Sequence, residues 1–414
     1  MKRSHVLIFW GILVAILLLS FLIFRATQDQ RTIKADLAEL SNIRYGLFSV
    51  DEWKQVAAGI IAGKIGELEL SGENKAVMRQ KISAFLYEVI EDFEARFYEE
   101  RSRSLKGIIQ SGVASLTGTF DKLKQDVPMF TDQIIDFLDD PQSKEALRSY
   151  LVEQLDKYTL ETFAQIDYTM HDQIIAGHGY EHHEAAIAGL KAGIDMMERS
   201  SRPYKIAIIV MVLAAAMLFI LIKNPSKTEF LIISGISLTL LIPGVTLPMI
   251  EIDARISALS FSLLGEPISF RDQVLFYQSK SILEVVRIMF GHRGLDMLAV
   301  GFLILAFSVL FPAAKLIATV FYIYSEHLRK QGFVRTLVFR TGKWSMADVM
   351  VIAIFMALIG FNGIITDQLH QIENLAAGVE VLTTNNSGIL SGFWFFTAFV
   401  LMSLLVSQKL QAGK

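Results

Sequence analysis

Lys315 sits in the apolar run Ser308-Val-Leu-Phe-Pro312-Ala-Ala-Lys315-Leu, and the next acid, Glu326, comes 11 residues later. At 1.5 Å per helical residue that is roughly 16 Å, farther than a lysine side chain snorkels. An ionisable group inside an apolar span is costly, and is read first as functional. The plainer reading is a snorkelling or structurally paired lysine. A second group follows in Gly342-Lys343-Trp344-Ser345-Met346-Ala347-Asp348. Ser345 and Asp348 are three apart and share a helix face. Asp348 is the only acid between Glu326 and Asp367, which makes it the natural partner of Lys315. Lys315, Ser345 and Asp348 together would relay protons or contact a polar headgroup. Equally, Ser345 suits a helix N-cap with Asp348 in the first turn, and the two roles are compatible.

A third group is His171, His178, Glu181, His182, His183 and Glu184. Imidazoles and carboxylates are zinc ligands. Gly177 and Gly179 interrupt the helix that would align them, and the spacing matches no known motif, so a solvated loop without metal is expected. The chain lacks a phosphate-binding glycine loop and a nucleophile elbow, and no cofactor is expected. An enzyme is not expected either, and ATP-driven work would need another subunit.

The elements that must position these residues are membrane spans. The chain has 414 residues, 52% hydrophobic and 20% charged, with mean hydropathy +0.43. A net charge of −3 argues against nucleic acid. Cysteine is absent, which excludes disulfides, thiol catalysis and cysteine-ligated metals. Apolar runs at 6–24, 204–222, 230–250, 297–324, 346–365 and 390–406 predict six spans. Pro243, Pro248 and Pro312 fall inside them, where neighbouring helices can cover the freed carbonyls. Lys2 and Arg3 precede the first run, which reads as an uncleaved signal anchor. Arg329, Lys330, Arg335, Arg340 and Lys343 then fall on the inside, and the lysine- and arginine-free stretch 367–388 on the outside. The expected protein is multi-pass, with both termini cytoplasmic.

Three domains follow: a signal-anchor helix at 1–25, a helical periplasmic domain at 26–203 and a polytopic membrane domain at 204–414. The second carries about 30 acidic against about 20 basic residues, which argues against an anionic lipid surface. Its helical signals are Ser49 with Glu52 as a capping box, Asp140-Pro141 as a helix start, and Ile82, Phe85, Leu86, Val89, Phe93 and Phe97 at threes and fours. After the third span, Ile252, Ala254 and Ile256, then Leu259, Phe261 and Leu263, alternate up to the turn at Gly265-Glu266-Pro267. This predicts a β-hairpin on the membrane surface, and Val379, Val381 and Thr383 offer it a third strand. The fold class is thus a mainly α membrane protein, with an anchor helix, a helical extracytoplasmic domain, and a four- to five-span C-terminal bundle bearing a small outer β-sheet.

Residues 205–407 resemble the paraquat-inducible protein A (PqiA) family of bacterial inner-membrane proteins. The likeness rests on Phe311-Pro312-Ala-Ala-Lys315-Leu316, on Gly342-Lys343-Trp344-Ser345-Met346-Ala-Asp348-Val349, and on Pro243 and Pro248-Met249 in the third span. The resemblance implies a four-span bundle with a small outer sheet, lipid handling at the inner membrane, and an MCE-type periplasmic partner. It also implies a polar network at Lys315, Ser345 and Asp348. The chain departs from the family pattern in having one membrane module, no zinc ribbon and a large helical outside domain. A membrane lipid is therefore the expected ligand, and the expected function is an inner-membrane lipid-transport component. The alternative is a membrane sensor whose helical domain binds a ligand or partner.

Overall fold

The computed structural model describes residues 2–45, 50–67, 75–103, 117–138, 148–154, 167–263, 266–291, 294–327, 331–339, 347–375 and 379–412. Among them, six helices are long and apolar enough to cross a membrane. The protein is a mainly α membrane protein with a small antiparallel sheet.

Helix α1, Lys2–Leu40, has 39 residues, about 58 Å at 1.5 Å per residue. A bilayer core of about 30 Å takes up only half of that. The rest continues outward without a break. After α2 to α5, helix α6, His183–Leu221, runs back beside it over the same length. The two meet along Phe9, Ile16 and Ile23 against Ile208, Val212, Ala215 and Phe219. Farther out, Leu37 and Leu40 of α1 pack with Ala186, Leu190 and Ile194 of α6. Both helices thus run straight through the boundaries expected at 25/26 and 203/204. Pro203 lies inside α6 without ending it.

From the outer end of this stalk hang α2 (Val50–Glu67), α3 (Lys75–Arg103), α4 (Thr117–Leu138) and a helical stretch at 148–154. They share a separate core in which Ile82, Leu86 and Val89 of the threes-and-fours pattern are buried against Val127, Phe130 and Ile134. Ser49 and Asp140-Pro141 lie outside the described residues, as do the side chains of Glu52, Phe93 and Phe97. Residues 46–166 begin and end at one place, because the Tyr45 and Tyr168 rings lie 5.4 Å apart. Helix α5, Thr169–Gly177, then leads into α6.

Lys409 donates to the carbonyls of Ile220 (2.8 Å) and Ile222 (2.9 Å) at the end of α6. Helix α7, Lys227–Thr246, starts at a capping box between Ser226 and Glu229. Lys409→Met should strip the α6 terminus of its donor and lower stability by about 1 kcal/mol. Thermal unfolding in detergent reads this, and an unchanged midpoint would mean that the cap carries no weight.

After α7 the chain leaves the helix before Pro248, so Pro248 lies in an extended link and not in the third span as expected. The span is shorter than its apolar run because Ile250 already pairs in the sheet. Strands β1 (Ile250–Leu263) and β2 (Glu266–Lys280) form the expected hairpin, and β3 (Val379–Asn385) pairs with the other edge of β1. Strand β4, Gly388–Ile389, meets the start of β1, and all pairings are antiparallel. Amphipathic helix α8, Ile282–Gly291, buries Ile282 and Val286, and leads to the fourth span. That span is α9 (Leu295–Leu305), a π turn at Ala306–Leu310, and α10 (Phe311–Tyr324). Helix α11, Gly332–Phe339, folds back on α10. Helices α12 (Ala347–Leu375) and α13 (Ser391–Ala412) complete the bundle.

Candidate functional site

The fourth span is built around an interruption. Pro312 has no amide hydrogen and cannot bond to a carbonyl one turn back. The π turn at Ala306–Leu310 directly before it absorbs the mismatch, and such turns recur at functional sites. From within this turn onward, Ser308, Pro312, Lys315, Thr319 and Tyr322 follow one another at fours and threes, and all five are buried. Lys315 is only 3% exposed. The Thr319 hydroxyl donates to the Lys315 carbonyl at 2.8 Å. Helix α10 packs on α7, which contributes the buried hydroxyls Ser234 and Ser237. Ser237 bonds back to the Ile233 carbonyl, while Ser234 Oγ has no hydrogen-bond partner among the described residues. The result is a buried lysine on a helix face that also carries the Ser308, Thr319 and Tyr322 hydroxyls, inside an otherwise apolar bundle.

Asp348 lies at the start of the described part of α12. Its side chain, with Ser345 and Trp344, lies outside the described residues. Helix α12 is the span least enclosed by the rest of the protein. Only 6% of its apolar window is buried, against 72% for α7. Ile352, Phe355, Met356, Ile359 and Ile364 all face outward.

A second polar cluster has no counterpart in the sequence reading. It joins the outer half of α1 to the sheet. Arg31 forms a two-pronged ion pair with Glu284 (2.5 and 2.9 Å) and also donates to the Ser279 carbonyl at 2.9 Å. Burial works against the Glu284 charge, but the Arg31 guanidinium and the Ser281 amide outweigh it and hold the carboxyl below its usual range. Lys34 donates to Glu251 at 2.7 and 3.0 Å, and the Tyr277 hydroxyl donates to the same carboxylate at 2.8 Å. Burial first, and the Glu251 charge second, push the Tyr277 phenol up, so it remains a donor. The chain after α1 then bonds to the edge of β2, where the Val274 amide donates to the Ser41 carbonyl at 2.7 Å. One local signal was available: Ser281 and Glu284 cap α8 reciprocally, at the spacing of a capping box.

The histidine group is in part the expected exposed loop, since His178, Glu181 and His182 lie exposed in the turn between α5 and α6, but His171 and His183 lie on the flanking helices and are half-buried. His171 and His183 stack, with ring centroids 5.0 Å apart at 16°, and His171 also meets the Tyr45 and Tyr168 rings. His178 pairs with Asp36 of α1 at 2.8 Å. Among the described residues, no three histidine or carboxylate groups converge as a metal site would require.

Residues 267–413 match the family model of paraquat-inducible protein A. No curated protein and no solved structure matches the chain. The PqiA match starts with β2 and runs through α8, the interrupted span with Lys315, α12, β3, β4 and α13. It begins later than the resemblance at 205–407, so Pro243 and Pro248 fall outside it, whereas Pro312, Lys315, Trp344, Ser345 and Asp348 fall within it. The PqiA stretch does not contain its own central strand. β1, α7 and both stalk helices come from the preceding residues. Glu284, Ser279 and Tyr277 belong to the matched stretch; the preceding chain brings Arg31 to Glu284 and Ser279, and Glu251, itself paired with Lys34, to Tyr277.

Proposed function

We propose that this chain is a lipid-transport component of a bacterial inner membrane, multi-pass with both termini cytoplasmic, passing lipid between that membrane and the periplasm. An MCE-type periplasmic protein is the partner that the PqiA likeness suggests. The observation carrying the reading is Lys315, buried with Ser308 and Thr319 on the inner face of a span broken by a π turn and Pro312. A buried cation at membrane depth, beside hydroxyls, suits a phosphate headgroup or a proton-coupled step, with Lys315, Ser345 and Asp348 sharing the polar network. The exposed flank of α12 supplies an apolar surface for acyl chains. No step asks for a nucleophile, so the chain acts as a carrier and not as an enzyme.

Lys315→Ala should abolish protection in a membrane-integrity assay, a loss of at least about tenfold, with normal protein in the membrane. Mass spectrometry of the purified protein should show phospholipid depleted relative to the parent. Full activity of Lys315→Ala would overturn the network.

A second reading, a sensor, draws on the unbroken α1 and α6, which tie the helical domain to both membrane and sheet. Because Tyr45 and Tyr168 adjoin, residues 46–166 can be replaced by a short glycine–serine linker. Retained membrane protection favours transport by the membrane module alone. Intact lipid handling with a lost response to envelope stress favours sensing.

A further inference from the structure

The corner where the stalk ends gathers more titratable groups than its packing requires. We propose that the stacked His171–His183 pair is a proton-operated latch on the corner from which residues 46–166 hang, closed while the pair shares one proton and opened when both imidazoles are charged. His171 Nε2 lies 2.9 Å from His183 Nδ1. At that distance one nitrogen donates and the other accepts, so the contact needs a single hydrogen between them. A second proton turns an attraction into two like charges with stacked rings. The pair bridges α5 to the first residue of α6. The Tyr45 ring, which ends the α1 segment, leans on His171 at 5.0 Å. Ser41, four residues earlier, is bonded to β2. Breaking the pair therefore loosens the join between both stalk helices and the suspended domain.

The surrounding charges set the sign. On α5, Asp172 accepts from His171 Nδ1 at 2.9 Å. On α6, Glu184 favours charge on His183, but burial and then His171 outweigh it and hold His183 below its ordinary 6.5. On α1, Asp36 contacts His178, and Glu39 pairs with Arg44. Arg44 lies over the Tyr45 ring at 4.6 Å and adds a positive charge to the corner. Asp167 stands before α5, held below its usual range by its hydrogen bonds with Thr169. The open corner takes up a proton on His183 near the ordinary value, and the closed corner resists it. The latch is therefore intact above about pH 6.5 and is lost as pH falls below it.

The chain has no cysteine, so two can be introduced without background. Spin labels at Ala35→Cys on α1 and Gln173→Cys on α5, both exposed positions, report the corner in the full-length protein in detergent. At about pH 7.5 one narrow distance is expected, and at about pH 5 a longer or much broader distribution. His183→Gln and His171→Gln keep a polar side chain that does not titrate, and each should stay narrow at both values. An unchanged parent distribution at about pH 5 refutes the latch, as does equal broadening in both glutamine variants. If neither variant gives the narrow distance at about pH 7.5, the pair is a packing element and the proposal also fails.

Discussion

Replacing Glu251 by leucine is expected to cost about 2–3 kcal/mol of stability, because the substitution strands two donors at once. Glu251 is the second residue of β1 and is 6% exposed. It accepts from Lys34, which reaches in from α1, and from Tyr277 on the paired strand. Tyr277 is fixed as a donor by its burial, so without the carboxylate its hydroxyl is left unmatched. Lys34 keeps 28% of its side-chain surface, which lets water recover part of the loss and places the figure below that of a fully buried pair. Lys34→Met with Glu251→Leu removes both charges, and should recover a large part of what the single variant loses. Thermal unfolding of the purified parent and both variants measures this. Equal destabilisation by Glu251→Leu and by the double variant would mean that the two side chains are not coupled. In that case the stalk would be held to the sheet by the other contacts, among them the Ser41–Val274 bond, the Arg31–Glu284 pair and the Lys191–Asp272 pair.

This contact also marks where the sequence stops being legible. The spans announce themselves, because a bilayer demands about 20 apolar residues and nothing else in the chain supplies them. The sheet is legible for a similar reason. Ile252, Ala254 and Ile256 alternate with Glu251, Asp253 and Arg255 at the two-residue period of a strand, although Glu251 and Asp253 are buried as well, and Val379 to Thr383 repeats the pattern. Both signals are local. Arg31 and Glu284 are 253 residues apart, and nothing within either segment reports the other. Nor does the sequence show that α1 continues to Leu40, since residues 25–40 read equally well as the first helix of a separate domain. The histidines are legible only in part. Gly177 and Gly179 do end α5, and Gly179 takes a positive φ of 75° there, but the turn they make brings His171 back onto His183. Pro248 was placed in a helix because hydropathy does not distinguish an apolar helix end from an apolar strand start. At the candidate site, Lys315 was legible from composition alone. Ser308 and Thr319 were not, because only the buried face of the helix singles them out from other small polar residues.

Gly392→Ala is expected to be the most damaging small substitution in the membrane module, costing about 3 kcal/mol or preventing accumulation. A Cβ at residue 392 would lie 2.3 Å from the Leu247 carbonyl oxygen and 2.7 Å from that of Pro248. These are backbone atoms that cannot swing aside. The Gly392 amide itself donates to the Pro248 carbonyl at 3.0 Å, and the Leu390 amide to Met249 at 2.9 Å. The start of α13 is thus bonded to the link between α7 and β1, which explains how so short a strand as β4 holds its register against Ile250. One turn into the membrane the same closeness recurs, for a Cβ on Gly244 would lie 2.9 Å from the Phe396 Cα. Gly360 in α12 is the control. Nothing lies within 4 Å of a Cβ there, so alanine should be neutral or stabilising by about 0.5–1 kcal/mol through helix propensity alone. Membrane accumulation and the thermal midpoint compare the two variants. Should Gly392→Ala match Gly360→Ala, the helices are not in backbone contact, and the sheet must find its place over the bundle through the α1 stalk instead.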